Sequence, residues 1–145
     1  MIRRLEWIIF YFEGTCEICL GNIGIEQYRK EIGDQIRSGE NFSDQVWLRI
    51  FYASAVIEYK LDNHEKAYEE WQKALSYAKK ANVLIYIGKI YSYFAIYYYR
   101  KKDNEQEWFY FHEAEKLFHK CQDYGELATH YINILWFKRY EKNPK

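Results

Sequence analysis

Residues 43–81 read SDQVWLRIFYASAVIEYKLDNHEKAYEEWQKALSYAKKA. Their apolar residues recur every three or four positions on both sides of the polar break Asp62-Asn63, which is the spacing of two amphipathic helices. Asp62 and Asn63 stand where an N-cap is wanted, just ahead of Glu65 in the first turn of the second helix. The stretch therefore predicts a helical hairpin, with helices over about 43–60 and 64–81.

The same pattern continues in both directions along the chain. Toward the C-terminus it predicts helices over about 83–101, 104–121 and 124–141, with Asp103 and Asn104 as a second cap signal; toward the N-terminus it predicts helices over about 3–20 and 25–37. All gaps are short, so neighbouring helices should form antiparallel hairpins. When the chain is shifted against itself by one hairpin, Ile50 aligns with Ile90, Ala55 with Ala95, Tyr59 with Tyr99 and Ala74 with Ala114. A period of this size, built from two helices, is typical of an α-solenoid.

Small residues within the period carry a family resemblance. Ala55, Ala67 and Ala74 are spaced by 12 and then 7 positions, which resembles the tetratricopeptide repeat, where small residues let helices approach closely. The second unit keeps Ala95 and Ala114 but departs at Glu107, which replaces a small residue. Large residues stand near the large positions of the repeat, namely Phe51, Tyr59 and Trp71 in the first unit and Tyr91 and Phe111 in the second. The resemblance implies an all-α, right-handed α-solenoid of about seven helices.

The resemblance also gives the expected domain organisation. Residues 1–145 form a single domain of this type, with a degenerate hairpin over 1–40, repeats over 43–81 and 83–121, and a terminal helix over 124–141. The period, about 40 residues, exceeds the usual 34. It resembles the elongated repeats of the peptide-sensing regulators and aspartate phosphatases of low-GC Gram-positive bacteria. Whether the chain is a whole protein or a relative of a longer regulator stays open.

Composition excludes several classes of protein. The 145 residues carry 21 basic and 21 acidic side chains, so the basic surplus of an electrostatic nucleic-acid binder is missing. A hydrophobic content of 49% argues against intrinsic disorder. No apolar run is long enough for a signal peptide or a membrane span. Three cysteines without a signal are expected to be reduced thiols, which favours the cytosol.

No residue pattern predicts catalysis. Cys16 and Cys19 form a C-x-x-C in mid-helix without two further ligands, so they are interpreted as small buried residues. The four histidines share no ligand spacing, and no phosphate-binding or nucleophile motif occurs. Acidic residues such as Glu69 and Glu70 alternate with lysines, as on a solvated face. We therefore expect no cofactor, no metal and no enzymatic activity.

A binding groove is expected on the concave face that the family resemblance assigns. The first helix of each hairpin presents tyrosine or tryptophan between arginine and lysine, a composition suited to binding hot spots. Tyr91, Phe94 and Tyr98 are instead expected to be core. The residues assigned to the groove are Arg49, Tyr52, Val56, Tyr59, Lys60, Lys89, Tyr93, Ile96, Tyr99, Arg100, Thr129, Asn133, Trp136, Arg139 and Tyr140.

The sequence thus favours a non-catalytic protein- or peptide-binding scaffold acting as adaptor, regulator or inhibitor. The main alternative is a peptide-responsive regulator or a phosphatase-like relative, and a lesser one is single-stranded RNA binding, which the balanced charge disfavours. The terminal helix is apolar on more than one face, through Ile132, Ile134, Leu135, Trp136 and Phe137. That pattern predicts either a homodimer through this helix or a second partner site, and leaves open which surface binds the partner.

Overall fold

The computed structural model describes Arg3 and residues 22–38 and 41–142. Within these ranges the chain is all-α, as the spacing predicted, and no strand occurs. The helices begin and end close to their expected bounds. Apart from Arg3, the expected helix over 3–20, with Cys16 and Cys19, lies outside the described ranges. The helices are α1 (Asn22–Arg37), α2 (Asp44–Lys60), α3 (His64–Lys80), α4 (Leu84–Arg100), α5 (Asn104–Cys121) and α6 (Tyr124–Lys142).

The turns between helices recur at a constant spacing along the chain. Asp62, Asn82, Lys102 and Gln122 each follow a helix end and have positive φ angles, between 53° and 64°. After three of these residues the next backbone N–H donates to a carbonyl in the last turn of the preceding helix; the Asn63 N–H, for example, reaches the Glu58 oxygen at 2.9 Å. This bond closes a Schellman turn. The period of the sequence is therefore visible in the backbone, where each period comprises two helix-and-turn units.

The chain divides into two compact units, Met1–Ala81 and Asn82–Lys145. In the first unit α2 and α3 form an antiparallel hairpin, because Phe51 stacks on Tyr77 at 5.7 Å between ring centroids near one end, and Tyr59 meets His64 at 5.3 Å at the other. The three alanines of the repeat spacing are completely buried, as close helix approach requires; these are Ala55, Ala67 and Ala74.

In the second unit α4 and α5 form a matching hairpin. Tyr98 stacks on Tyr110 near one end at 5.6 Å, and Gly88 faces Phe118 near the other. A Cβ atom on Gly88 would lie 2.8 Å from Cε1 of Phe118, so the helices touch through this glycine. The last helix, α6, runs antiparallel to α5 and parallel to α4, as the cross-helix contacts below show. It therefore packs against both helices of the hairpin.

The helix caps confirm one predicted signal and correct the other. The Asp103 carboxylate accepts from the Gln106 backbone N–H at 3.1 Å, as expected of an N-cap. Asn63 occupies the N-cap of α3, but its side chain makes no capping bond. Its Nδ2 instead donates to Oε2 of Glu58 at 2.8 Å, because a buried carboxylate is a strong acceptor that competes for this side chain.

Candidate protein-binding surface

Along α4, tyrosines alternate with cations on one face. The residues recur at spacings of three and four; Arg100 is exposed to solvent and the others are partly exposed. Lys89 Nζ lies 5.4 Å from the centroid of the Tyr86 ring, and Lys101 Nζ lies 5.4 Å from that of Tyr97. Phe94 and Ala95 are buried, so the helix has a distinct core side. The stripe comprises Tyr86, Lys89, Tyr93, Tyr97 and Arg100.

Two residues of α6 extend this stripe. Lys89 Nζ lies 3.8 Å from Oε1 of Glu126, which places the start of α6 beside α4. Asn133 lies two helical turns beyond Glu126, hence on the same side of the helix, and is partly exposed. The stripe of α4, with Glu126 and Asn133, is called the α4–α6 surface below. It contains four predicted groove residues, Lys89, Tyr93, Arg100 and Asn133.

The predicted groove residues of α2 belong to the first unit. Arg49, Tyr59 and Lys60 are partly exposed there, and Nη1 of Arg49 donates to the Gln45 carbonyl at 3.1 Å. Tyr52 corrects the expectation, since its side chain is 0% exposed and belongs to the core. The physical reason is that every residue of α2 from position 46 to 60 is buried or only partly exposed, so neighbouring parts of the unit cover most of this helix.

The remaining groove residues have mixed positions. Val56 and Ile96 are buried and so also leave the groove, whereas Tyr99 is partly exposed. Thr129 is exposed, and its hydroxyl donates to the Gly125 carbonyl at 3.0 Å. Trp136 is exposed. The side chains of Arg139 and Tyr140 lie outside the described part of the chain. Of the three residues expected in the core, Phe94 is buried, while Tyr91 and Tyr98 are half-buried against Tyr110.

A buried histidine fixes the helices that carry the α4–α6 surface. His130 of α6 has Nε2 at 3.0 Å from the Phe111 carbonyl of α5, and Nδ1 at 2.6 Å from Oγ of Ser92 on α4. A carbonyl only accepts, so Nε2 carries the proton and Nδ1 accepts from the serine hydroxyl. Burial lowers the pKa of His130, against the smaller opposing effect of the bond to Phe111. The neutral ring therefore joins all three helices of the unit.

The residue that departs from the repeat pattern is also buried and paired. Glu107 of α5 lies 3.3 Å from Nζ of Lys138 on α6. The same ammonium sits 4.1 Å from the centroid of the Trp108 ring. Glu107 therefore acts as a docking point for α6, which a small residue could not provide.

A cleft of about 430 Å³ lies among α1, α2 and α3 and is lined mainly by charged side chains. Glu58 is buried on its wall and accepts from Nε of Arg29 at 2.8 Å, with Lys66 Nζ 3.3 Å away. Burial by itself raises the pKa of Glu58, but the hydrogen bonds from Asn63, Arg29 and Lys66 outweigh it and hold the pKa below its usual range. The ionised carboxylate thus ties α1 to the hairpin.

Glu70 lines the same cleft and corrects an expectation. The alternation with lysines predicts a solvated face for it and Glu69, but its side chain is buried and pairs with Lys73 at 2.7 Å. Its position one turn beyond the buried Ala67 places it at the edge of the core rather than on the outer face.

Sequence reasoning missed several of these residues. Tyr86 and Tyr97 could have been found by extending the three-and-four spacing through Lys89 and Tyr93. The burial of Glu58 and His130 had no sequence signal, because the partners Arg29 and Ser92 lie 29 and 38 residues away.

Comparison with known proteins returned nothing: no protein-family model, no curated protein and no solved structure matches this chain. In the described ranges, no three His, Cys, Asp or Glu side chains are grouped so as to hold a metal ion. No helix there has both the length and the apolar character needed to cross a bilayer. What the site can do chemically must therefore be inferred from its own side chains, which are suited to stacking, charge-assisted hydrogen bonding and burial of aromatic area.

Proposed function

We propose that the protein is a non-catalytic protein- or peptide-binding scaffold of the tetratricopeptide-repeat type, acting as an adaptor, regulator or inhibitor. The observation that carries the proposal is the α4–α6 surface, where partly exposed tyrosines alternate with Lys89 and Arg100. Tyrosine offers a large contact area with few torsions to immobilise, and arginine adds charge-assisted hydrogen bonds. Binding of another chain is the use that best fits this combination.

Several features support the repeat identity. The buried alanines keep the 12-and-7 spacing of the repeat, and equally spaced left-handed residues follow the ends of four successive helices. In the second unit, α6 packs antiparallel to α5 and parallel to α4, as the next hairpin of a stacked array would. The proposal includes the α-solenoid that the repeat resemblance implies.

The charge of the α4–α6 surface suggests the chemistry of the partner. Three cations, Lys89, Arg100 and the neighbouring Lys101, lie on or beside this surface, together with one carboxylate, Glu126, whose Oε1 is 3.8 Å from Nζ of Lys89. An acidic peptide with aromatic or aliphatic side chains would meet cations and ring faces together, while the Asn133 amide can bond its backbone. The proposed ligand is therefore an extended acidic segment of another protein.

The alternative is a peptide-responsive regulator or a phosphatase-like relative. It is favoured by the long period, since Asp62 and Lys102 mark equivalent turns one full period apart. In that case the α4–α6 surface would take a free peptide rather than a segment of a folded partner. For either function we propose the cytosol, because Cys121 is an exposed free thiol.

Affinity capture from native lysate followed by mass spectrometry tests the proposal. The bait is compared with a Tyr93→Ala/Arg100→Ala variant and with the control Phe109→Ala, whose side chain is exposed on α5 away from this surface. We expect the wild type and the control to capture one dominant protein or peptide. The double variant should capture at least about tenfold less of it, while its helical circular dichroism is unchanged. Equal capture by both variants would refute the surface, and recovered nucleic acid would replace the proposal by RNA binding.

A further inference from the structure

We propose that the outer face of α6 is a self-association surface through which two copies of the chain form a two-fold dimer. The face is built from residues spaced three, four or seven apart on the side of α6 that points away from α4. It differs from the α4–α6 surface and does not depend on the proposed function. Its residues are Tyr124, Ala128, Tyr131, Ile132, Leu135 and Trp136.

Large apolar side chains are exposed together on this face. Tyr124 is 66% exposed, Ile132 63%, Leu135 67% and Trp136 58%. Tyr131, also on this face, is 37% exposed. Elsewhere in the described part of the chain, the large hydrophobic side chains that are exposed are Trp108 (45%) and Phe109 (54%) of α5. Contiguous exposure of this kind marks an interaction surface rather than scattered surface residues.

The charge of the face selects a second copy as the occupant. Among the α6 side chains that the structure describes, every exposed one is uncharged. These are the six residues of the outer face together with Gly125 and Thr129. The exposed positions of α5, by contrast, include Glu105, Lys116 and Lys120. A two-fold axis brings the same face of both copies together. A face without formal charge can be buried against its copy with no charge to desolvate or pair, whereas a charged face would have to pair every charge that it buries.

The exposed area agrees with what a stable dimer needs. At 150–250 Å² for a large side chain, the five large residues of the outer face offer roughly 600 Å² at their observed exposures. Trp108 flanks the face, held by the ammonium of Lys138, and adds roughly 100 Å². A standard interface buries about 800 Å² on each partner. The face and Trp108 together offer up to about 700 Å², which lies within the range of roughly 600–1,000 Å² per partner that standard interfaces span.

The shape of the face suits two helices that cross antiparallel. Ala128 is a small exposed residue between Tyr124 and Ile132 on the same ridge. In an antiparallel pair with its axis near Ile132, this gap lies opposite a large side chain of the second copy, so ridge packs into groove.

Sedimentation at about 100 μM tests the proposal, since this concentration lies far above the dissociation constant expected of a standard interface. We expect the wild type to have twice the chain mass of 17.9 kDa. Leu135→Glu should weaken the dimer at least about 100-fold, because the charge enters the interface twice. Phe109→Glu is the matched control, since it places the same charge at an exposed aromatic position of α5 and should leave the dimer intact. A wild-type mass of one chain, or equal weakening by both variants, overturns the proposal.

A second variant covers the case in which Leu135→Glu does not fold. Ile132→Cys is prepared with Cys16, Cys19 and Cys121 changed to Ser and is oxidised at low concentration. We expect a covalent dimer from Ile132→Cys and none from Phe109→Cys in the same background. A covalent yield no greater for Ile132→Cys than for Phe109→Cys overturns the antiparallel arrangement and, with it, the proposal.

Discussion

Acidification should destabilise the second unit through His130. The ring is 1% exposed and bonded on both nitrogens, and burial lowers its pKa below the ordinary value. The unfolded chain binds a proton near pH 6.5, whereas the folded chain does not, so the free energy of unfolding falls as the pH decreases from about 6.5 toward the folded pKa. Glu115 opposes the shift of the pKa, and His112 adds to it.

The magnitude follows from proton linkage. Each pH unit below the unfolded pKa lowers stability by about 1.4 kcal/mol until the folded pKa is reached. Between pH 7.5 and 5.5 the wild type should therefore lose up to about 1.4 kcal/mol through this group, or roughly 3–5 °C in Tm. His130→Phe keeps an aromatic ring against Phe111 but has no titratable group at this position. All other titratable groups are the same as in the wild type, so the two proteins differ only in the contribution of His130.

Urea unfolding followed by circular dichroism at both pH values measures the difference. The wild type should lose up to about 1.4 kcal/mol more than His130→Phe between the two pH values, although the variant is less stable at both because Ser92 and the Phe111 carbonyl lose their partner. The same pH dependence in both proteins would refute the buried neutral histidine.

Three further stability changes can be measured by urea unfolding. Gly88→Ala should lower stability by about 1–3 kcal/mol, because its Cβ would meet the buried Phe118 ring. The control Gly125→Ala, in the exposed start of α6, should not lower stability. Equal effects of the two substitutions would show that α4 and α5 can separate. Lys102→Gly should raise stability by about 0.5–1 kcal/mol, because Lys102 has φ of 60°, and Lys102→Ala should give no gain; a loss on Lys102→Gly would contradict the left-handed turn. Arg29→Ala should lower stability by about 1–3 kcal/mol at pH 7 by removing a partner of the buried Glu58 carboxylate. Because that carboxyl has a lowered pKa, its contribution is present above about pH 4.3 and is lost as the pH falls further, so the difference between wild type and Arg29→Ala should shrink in acid.

The helices could be predicted closely from the sequence because both of their signals are local. Apolar spacing sets the body of each helix, and short polar breaks set its ends, so the expected helix over 104–121 coincides with α5. The cap signal was less reliable: Asp103 caps α5, but the Asn63 side chain turns to Glu58. A cap can be recognised from a few neighbouring residues, whereas the sequence does not show that an acceptor of the preceding helix, here the Glu58 carboxylate, will compete for the capping side chain.

Burial of the polar residues could not be predicted because their partners are distant in sequence. Glu58, Glu107 and His130 look like surface positions until Arg29, Lys138 and Ser92 are brought to them by the packing of other helices. Each is stable in the interior only with such a partner.

The residue types of the candidate surface could be predicted from the sequence, but the burial of each side chain could not. The alternation of tyrosine and cations along α4 is visible in the sequence, and Lys89, Tyr93 and Arg100 have the solvent access that a binding surface requires. Tyr52 was assigned to the same type of position, yet it is buried. Periodicity gives the side of a helix on which a residue lies, while its exposure depends on what covers that side.

Hydroxyl-radical footprinting of the protein, alone and with its captured partner, tests the central claim of binding through the α4–α6 surface. We expect Tyr93 and Tyr97 to lose reactivity when the partner is added, while Phe109 on α5 keeps its reactivity. Protection of Phe109 with no change at Tyr93 and Tyr97 would contradict it.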